Sequence, residues 1–107
     1  MDRDDILEFI HNARINNLTR LDLSNRDIRE VPGEIGQLIQ LEHLDLSYNF
    51  IEKLPPEIGN LVNLKTLLLL KNEIRVLPAE IGNLRKLTLI DISHNRFTEF
   101  PPTIGYL

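Results

Sequence analysis

The side chains of this 107-residue chain with potential for chemistry are three histidines and a recurring set of carboxylates. His43 and His94 would suit a divalent metal, and Asp22, Asp45 and Asp91 would suit paired acid-base work. Their spacing argues against both. Asp22 and Asp45 stand one period of 23 residues apart, whereas His43 and His94 fall in units that are not adjacent. If each unit contributes one strand, two strand spacings separate the histidines by roughly 10 Å, too far to share one ion. The aspartate series is interrupted by Leu68, so the only adjacent pair is Asp22 and Asp45, which reads as solvated surface. There is no GxSxG, no glycine-rich phosphate loop and no HExxH. The absence of cysteine excludes disulfides, zinc-thiolate sites and a thiol nucleophile. The expectation is a protein that is not an enzyme and uses no cofactor or metal.

The elements that position these residues follow from the same period. Written from Leu18 in rows of 23, the chain aligns without a gap, the rows beginning at Leu18, Leu41, Leu64 and Leu87. Aliphatic residues fill the fourth column (Leu21, Leu44, Leu67, Ile90) and the sixth (Leu23, Leu46, Leu69, Ile92). The eleventh holds Ile28, Ile51, Ile74 and Phe97, and the fourteenth Val31, Leu54, Leu77 and Phe100. A proline column (Pro32, Pro55, Pro78, Pro101) is followed by an isoleucine, a glycine (Gly36, Gly59, Gly82, Gly105) and a leucine (Leu38, Leu61, Leu84, Leu107). Apolar residues at columns four and six have period two, which predicts a short strand per unit with those side chains inward. Four such strands in parallel form one sheet, each unit burying the apolar face that its neighbour cannot bury alone.

These columns resemble the leucine-rich-repeat consensus L-x-x-L-x-L-x-x-N-x-L over residues 18 to 107. The second half of each unit, LPxEIGxL, is similar to the Ras-group leucine-rich-repeat proteins, which are intracellular scaffolds. The resemblance implies an α/β solenoid with a parallel concave sheet and short helical or 3₁₀ turns on the convex side. It also implies a protein partner, such as a small GTPase or a phosphatase subunit in signalling.

Column nine carries Asn49, Asn72 and Asn95, whose amides can both donate to and accept from backbone groups left unpaired where the chain leaves the strand. Row one has Arg26 instead, which makes a regular turn there doubtful and sends a long side chain towards the N-terminal cap. The proline suits a first helical turn, Glu34, Glu57 and Glu80 lie near that turn's positive end, and glycine is expected to stop it. Ile6, Phe9, Ile10 and Ala13 recur at helical spacing behind Asp4 and Asp5, predicting a capping helix within residues 1–17 that seals the first repeat. Residues 18–107 then make one repeat domain. At the other end Phe97, Phe100, Ile104 and Leu107 are expected to form an uncovered apolar edge, belonging to a piece of a longer protein or covered by a second copy as a homodimer.

With twelve basic and sixteen acidic residues the net charge is −4, and no basic run exists to hold phosphates, so nucleic acid is not an expected partner. The longest apolar run, Leu67 to Leu70, is too short to cross a membrane, and the acidic N-terminus resembles no targeting peptide. With no cysteine, the expected compartment is the cytoplasm. Function then falls to the outward strand positions. In row three Leu68 and Leu70 replace the aspartate and serine of the other rows, and Leu89 is the neighbouring exposed position of row four. With His43, Asp45, Tyr48, Thr66 and Asp91 around them, these leucines are the candidate anchor for a protein partner.

Overall fold

The computed structural model describes residues 1–106, and of Tyr106 the backbone alone. The chain opens with helix α1 (Arg3–Ile15) and continues through four coils. Each coil is a three-residue strand followed by a five-residue 3₁₀ segment: β1 (Arg20–Asp22) and η1 (Gly33–Gln37), β2 (His43–Asp45) and η2 (Pro56–Asn60), β3 (Thr66–Leu68) and η3 (Ala79–Asn83), β4 (Leu89–Asp91) and η4 (Pro102–Tyr106). The strands form one parallel sheet in the order β1-β2-β3-β4. Equivalent columns pair directly: Leu21 with Leu44, Leu44 with Leu67, and Leu67 with Ile90.

The aliphatic columns make a continuous core. Leu23, Leu46 and Leu69 are completely buried, as are Ile28, Ile51 and Ile74. Coil four is looser, with Leu87, Ile90, Ile92, Phe97 and Ile104 only partly buried against that core. Phe97 and Phe100 lie with ring centroids 5.0 Å apart, and Phe100 is exposed. Leu107, the last member of the expected edge, lies outside the described residues.

Helix α1 begins with a capping box, in which Asp2 accepts from the Asp5 amide and Asp5 accepts from the Asp2 amide. It ends with Asn17 in a left-handed conformation, the Leu18 amide bonded to the Ala13 carbonyl and the Asn17 amide to that of Arg14. That double bond pattern terminates the helix and releases the chain directly into the first coil. Ile6, Ile10 and Ala13 are buried against coil one, while Phe9 is half-buried. The Arg26 guanidinium lies 4.7 Å from the Phe9 ring centre, so this side chain does reach the cap. The turn there is irregular, because Asp27 adopts a left-handed conformation that Phe50, Glu73 and Arg96 do not share.

Each asparagine of column nine is more than a local turn brace. Asn49 donates to the Leu46 and Ser47 carbonyls of its own coil and to the Leu23 carbonyl of the coil before it. Its carbonyl oxygen accepts from the Arg26 and Ile28 amides, both at 3.0 Å. Asn72 and Asn95 repeat the reach, accepting from the Ile51 and Ile74 amides. An asparagine therefore needs a coil on its N-terminal side. Coil one has the helix there instead, which accounts for Arg26 replacing asparagine and covering Phe9.

Two expectations about the convex side need correction. Pro32, Pro55 and Pro78 do not form the first helical turn but precede it as extended caps, with ψ near 150°, their carbonyls accepting from Ile35, Ile58 and Ile81. The glycines do not stop the turn either. Gly36, Gly59 and Gly82 lie inside the 3₁₀ segments, buried and without positive φ. Their role is close approach: a Cβ on Gly36 would sit 2.8 Å from the Glu57 carbonyl oxygen, and one on Gly59 2.7 Å from that of Glu80. A Cβ on Gly105 would meet nothing within 4 Å among the described residues outside its chain neighbours.

Candidate functional site

The concave surface is built by the outward positions of the four strands and the turn residues that follow them. Register places Arg20, His43, Thr66 and Leu89 in one line across the sheet, and Asp22, Asp45, Leu68 and Asp91 in the next. Strand spacing sets neighbours in a line about 4.8 Å apart. The structure thus brings the expected residues onto one face, but not equally into solvent. Leu89 is 53% exposed and Tyr48 48% exposed, whereas His43, Asp45, Thr66, Leu68, Leu70 and Asp91 are half-buried by flanking coils. Ser47, expected outward, is buried, its carbonyl taken by the amides of Asn25 and Asn49.

Polar groups on this face are already organised. The His43 Nδ1 lies 2.9 Å from the Thr66 hydroxyl. Each aspartate accepts the amide of the serine two residues on: Asp22 from Ser24, Asp45 from Ser47, Asp91 from Ser93. The Ser24 hydroxyl adds a second bond to Asp22 at 2.6 Å. Hydrogen bonds from Ser24 hold the Asp22 carboxyl below the ordinary carboxylate range, and those from Ser93 do the same for Asp91.

The turn column was not legible as special. Asn25, Tyr48, Lys71 and His94 all have φ between 55° and 60°, a left-handed backbone that bulky residues rarely adopt. The conformation aims the Asn25, Tyr48 and Lys71 amides at the Ser47, Leu70 and Ser93 carbonyls of the following coil. Asparagine tolerates this and is present once, whereas tyrosine, lysine and histidine incur about 1–2 kcal/mol each. Lys71 Nζ lies 5.6 Å from the Tyr48 ring centre.

Arg20 and Asp22, which the sequence places on the face but outside the leucine-centred patch, line the same hollow as His43, Asp45, Thr66 and Leu68, with a volume of about 310 Å³. The 23-residue offset, which fixes their pairing with His43 and Asp45, is what makes their place on this face legible in the sequence. Among the described residues no group of three His, Cys, Asp or Glu is placed to hold a metal ion, and no helix is long and apolar enough to cross a membrane.

Comparison with known proteins adds to this geometry. Residues 40–97 match the family described as Leucine rich repeat, and residues 16–60 match Leucine Rich repeats (2 copies). Among solved structures the chain is similar to the LRR protein LIC12759 of Leptospira interrogans, with 33% identity and a TM-score of 0.83 over 100% of this chain and 26% of that one. It is also similar to the leucine-rich repeat domain of the type III effector XCV3220 (XopL), with 28% identity and a TM-score of 0.78 over 92% of this chain and 32% of the other. The chain therefore spans about a quarter to a third of the solved chains it matches. A comparison with curated proteins finds no match.

Proposed function

The chain belongs to the leucine-rich-repeat family, and from that premise we propose that it is a non-catalytic interaction module taking a protein partner on its concave face. The observation that carries this reading is the interruption of the aspartate and serine columns by Leu68 and Leu70, next to the exposed Leu89. Apolar side chains held on an outward surface are stabilised only when something covers them. Tyr48, kept in a costly backbone conformation beside them, adds a large amphipathic contact of the kind that dominates interface energies. The LPxEIGxL half-repeat favours a cytoplasmic scaffold of the Ras-group type, with a small GTPase or phosphatase subunit as partner.

The test is affinity capture from the source cell's extract with the wild-type chain, Leu70→Asp and Glu80→Arg. Glu80 lies on the convex side in η3. A protein retained by wild type and by Glu80→Arg but lost on Leu70→Asp supports the reading, while equal capture by all three removes the concave face from consideration.

The exposure of Phe100 against Phe97 favours a second reading. In it, the edge formed by Phe97, Phe100 and Ile104, to which the sequence adds Leu107, takes a second copy of the chain as a homodimer. Sedimentation equilibrium would then show a dimer that dissociates on Phe100→Glu and persists on Leu70→Asp. A monomer across the concentration range eliminates this reading.

A further inference from the structure

The chemistry of the concave face changes along one line. Asp22, Asp45, Leu68 and Asp91 succeed one another in register, so carboxylates flank an apolar position on either side. In each aspartate Oδ1 accepts the serine amide two residues on, at 2.9, 2.9 and 3.0 Å. That bond pins the carboxylate to its turn, and among the described residues nothing donates to the second oxygen. The ion pairs of the described residues, Arg3–Glu34, Lys65–Glu42 and Arg96–Glu73, involve none of these aspartates. The line is a set of oriented anionic acceptors that form no ion pair among the described residues, beside the half-buried Leu68 and Leu70 and the exposed Leu89. A charge-assisted hydrogen bond in a partly enclosed hollow is stronger than one between neutral groups.

We propose that the concave face takes an extended segment of the partner in which an Arg or Lys lies two or three residues from a Leu, Ile or Phe. This deepens the concave reading above and rests on it. The cation meets the free oxygen of Asp45, and the apolar side chain sits on Leu68, Leu70 and Leu89. Arg20, which lines the same hollow from β1, disfavours a cation placed over coil one. Asp45 and Leu89 stand two coils apart, about 10 Å by strand spacing, which an extended chain covers in about three residues at roughly 3.3 Å each. An acidic segment meets the aspartate line at both ends and is rejected.

The test is selection of a random-peptide display library on the immobilised full chain, followed by fluorescence polarisation of an enriched peptide labelled at one end. The proteins are wild type, Asp45→Asn and Leu70→Ser, each checked for folding by circular dichroism. The side-chain amide that Asp45→Asn introduces keeps an oxygen able to accept the Ser47 amide, so the turn survives. Expected is enrichment of the basic-apolar pattern, with affinity falling about tenfold on replacing the peptide's Arg by Gln. That loss should disappear in Asp45→Asn, since the two changes remove the same contact. Enriched peptides without a basic residue, an Arg-to-Gln loss that persists in Asp45→Asn, or no enrichment at all overturns the proposal. Peptides lost on Leu70→Ser but indifferent to Asp45→Asn leave the concave reading standing and sink this inference alone, whereas peptides indifferent to both variants sink both.

Discussion

Replacing Asn49 by alanine should destabilise the chain more than the same change at Asn72, although both residues occupy the same column and are almost equally buried. The difference lies in what each leaves behind. Without Asn49 the Arg26 and Ile28 amides lose their acceptor and the Leu23 carbonyl loses its donor. The Leu46 and Ser47 carbonyls keep partners, from the Asn72 side chain and the Asn25 amide. Without Asn72 only the Ile51 amide is orphaned, because the Leu46 and Leu69 carbonyls are still bonded by Asn49 and Asn95. An unsatisfied buried group costs about 1–3 kcal/mol, so Asn72→Ala should cost about 1–3 kcal/mol and Asn49→Ala about 3–6 kcal/mol, water reaching the half-buried Arg26 amide easing the upper figure. Against a total stability of about 5–15 kcal/mol, the second loss is large. Equilibrium unfolding in urea, followed by circular dichroism, reads both as shifts in midpoint. Equal losses, or a larger one at Asn72, would refute the account of the ladder as a stitch between coils.

Gly59→Ala should cost about 1–3 kcal/mol, since its Cβ would strike the Glu80 backbone, whereas Gly105→Ala, with open space around it, should be neutral or stabilise by about 0.5 kcal/mol; thermal unfolding of the pair checks the contrast. His94→Asn places at φ 56° the residue type already found at Asn25, and should raise stability by about 0.5–1 kcal/mol, read as a melting temperature higher by a few degrees. Asp22 and Asp91 titrate below the ordinary carboxylate range when folded. Their contribution to stability is therefore full above the unfolded value of about 3.9 and is lost as pH falls from there through the folded values. Asp22→Asn should accordingly flatten the acid limb of the stability profile and leave it unchanged at neutral pH relative to its own plateau, as measured by urea midpoints at stepped pH.

The repeat, its strands and the capping helix were legible because each depends on residues within one row. Leu21 and Leu23 announce a strand by alternation, and Ile6, Phe9, Ile10 and Ala13 announce a helix by spacing. Features that depend on a neighbouring row were not. Gly36 looks like a helix stop until Glu57 of the next coil is seen against it. Asn49 looks like a turn residue until its bonds to Leu23, Arg26 and Ile28 are traced. The same holds on the concave face: Leu68 and Leu70 stood out by breaking a column, but the half-burial of His43 and Thr66 and the loss of Ser47 from the surface depend on flanking coils. The left-handed backbone of Tyr48 and Lys71 carried no sign in residue type, since neither prefers it.

The glycine column also governs curvature. On the inner side successive strands are about 4.8 Å apart, while packed α-helices on the outer side would need about 8–10 Å. That mismatch would fan the coils into a tight arc. Here 3₁₀ segments meet through Gly36, Gly59 and Gly82 so closely that a single methyl group would collide, pulling the outer pitch towards the inner one. A smaller outer pitch lowers the angle between consecutive coils, which makes the concave face shallower than helix-backed coils would make it. For the partner proposed above, contact area on such a face would grow in proportion to the number of coils crossed, so that reach along the stack, rather than depth of enclosure, would set how tightly it is held.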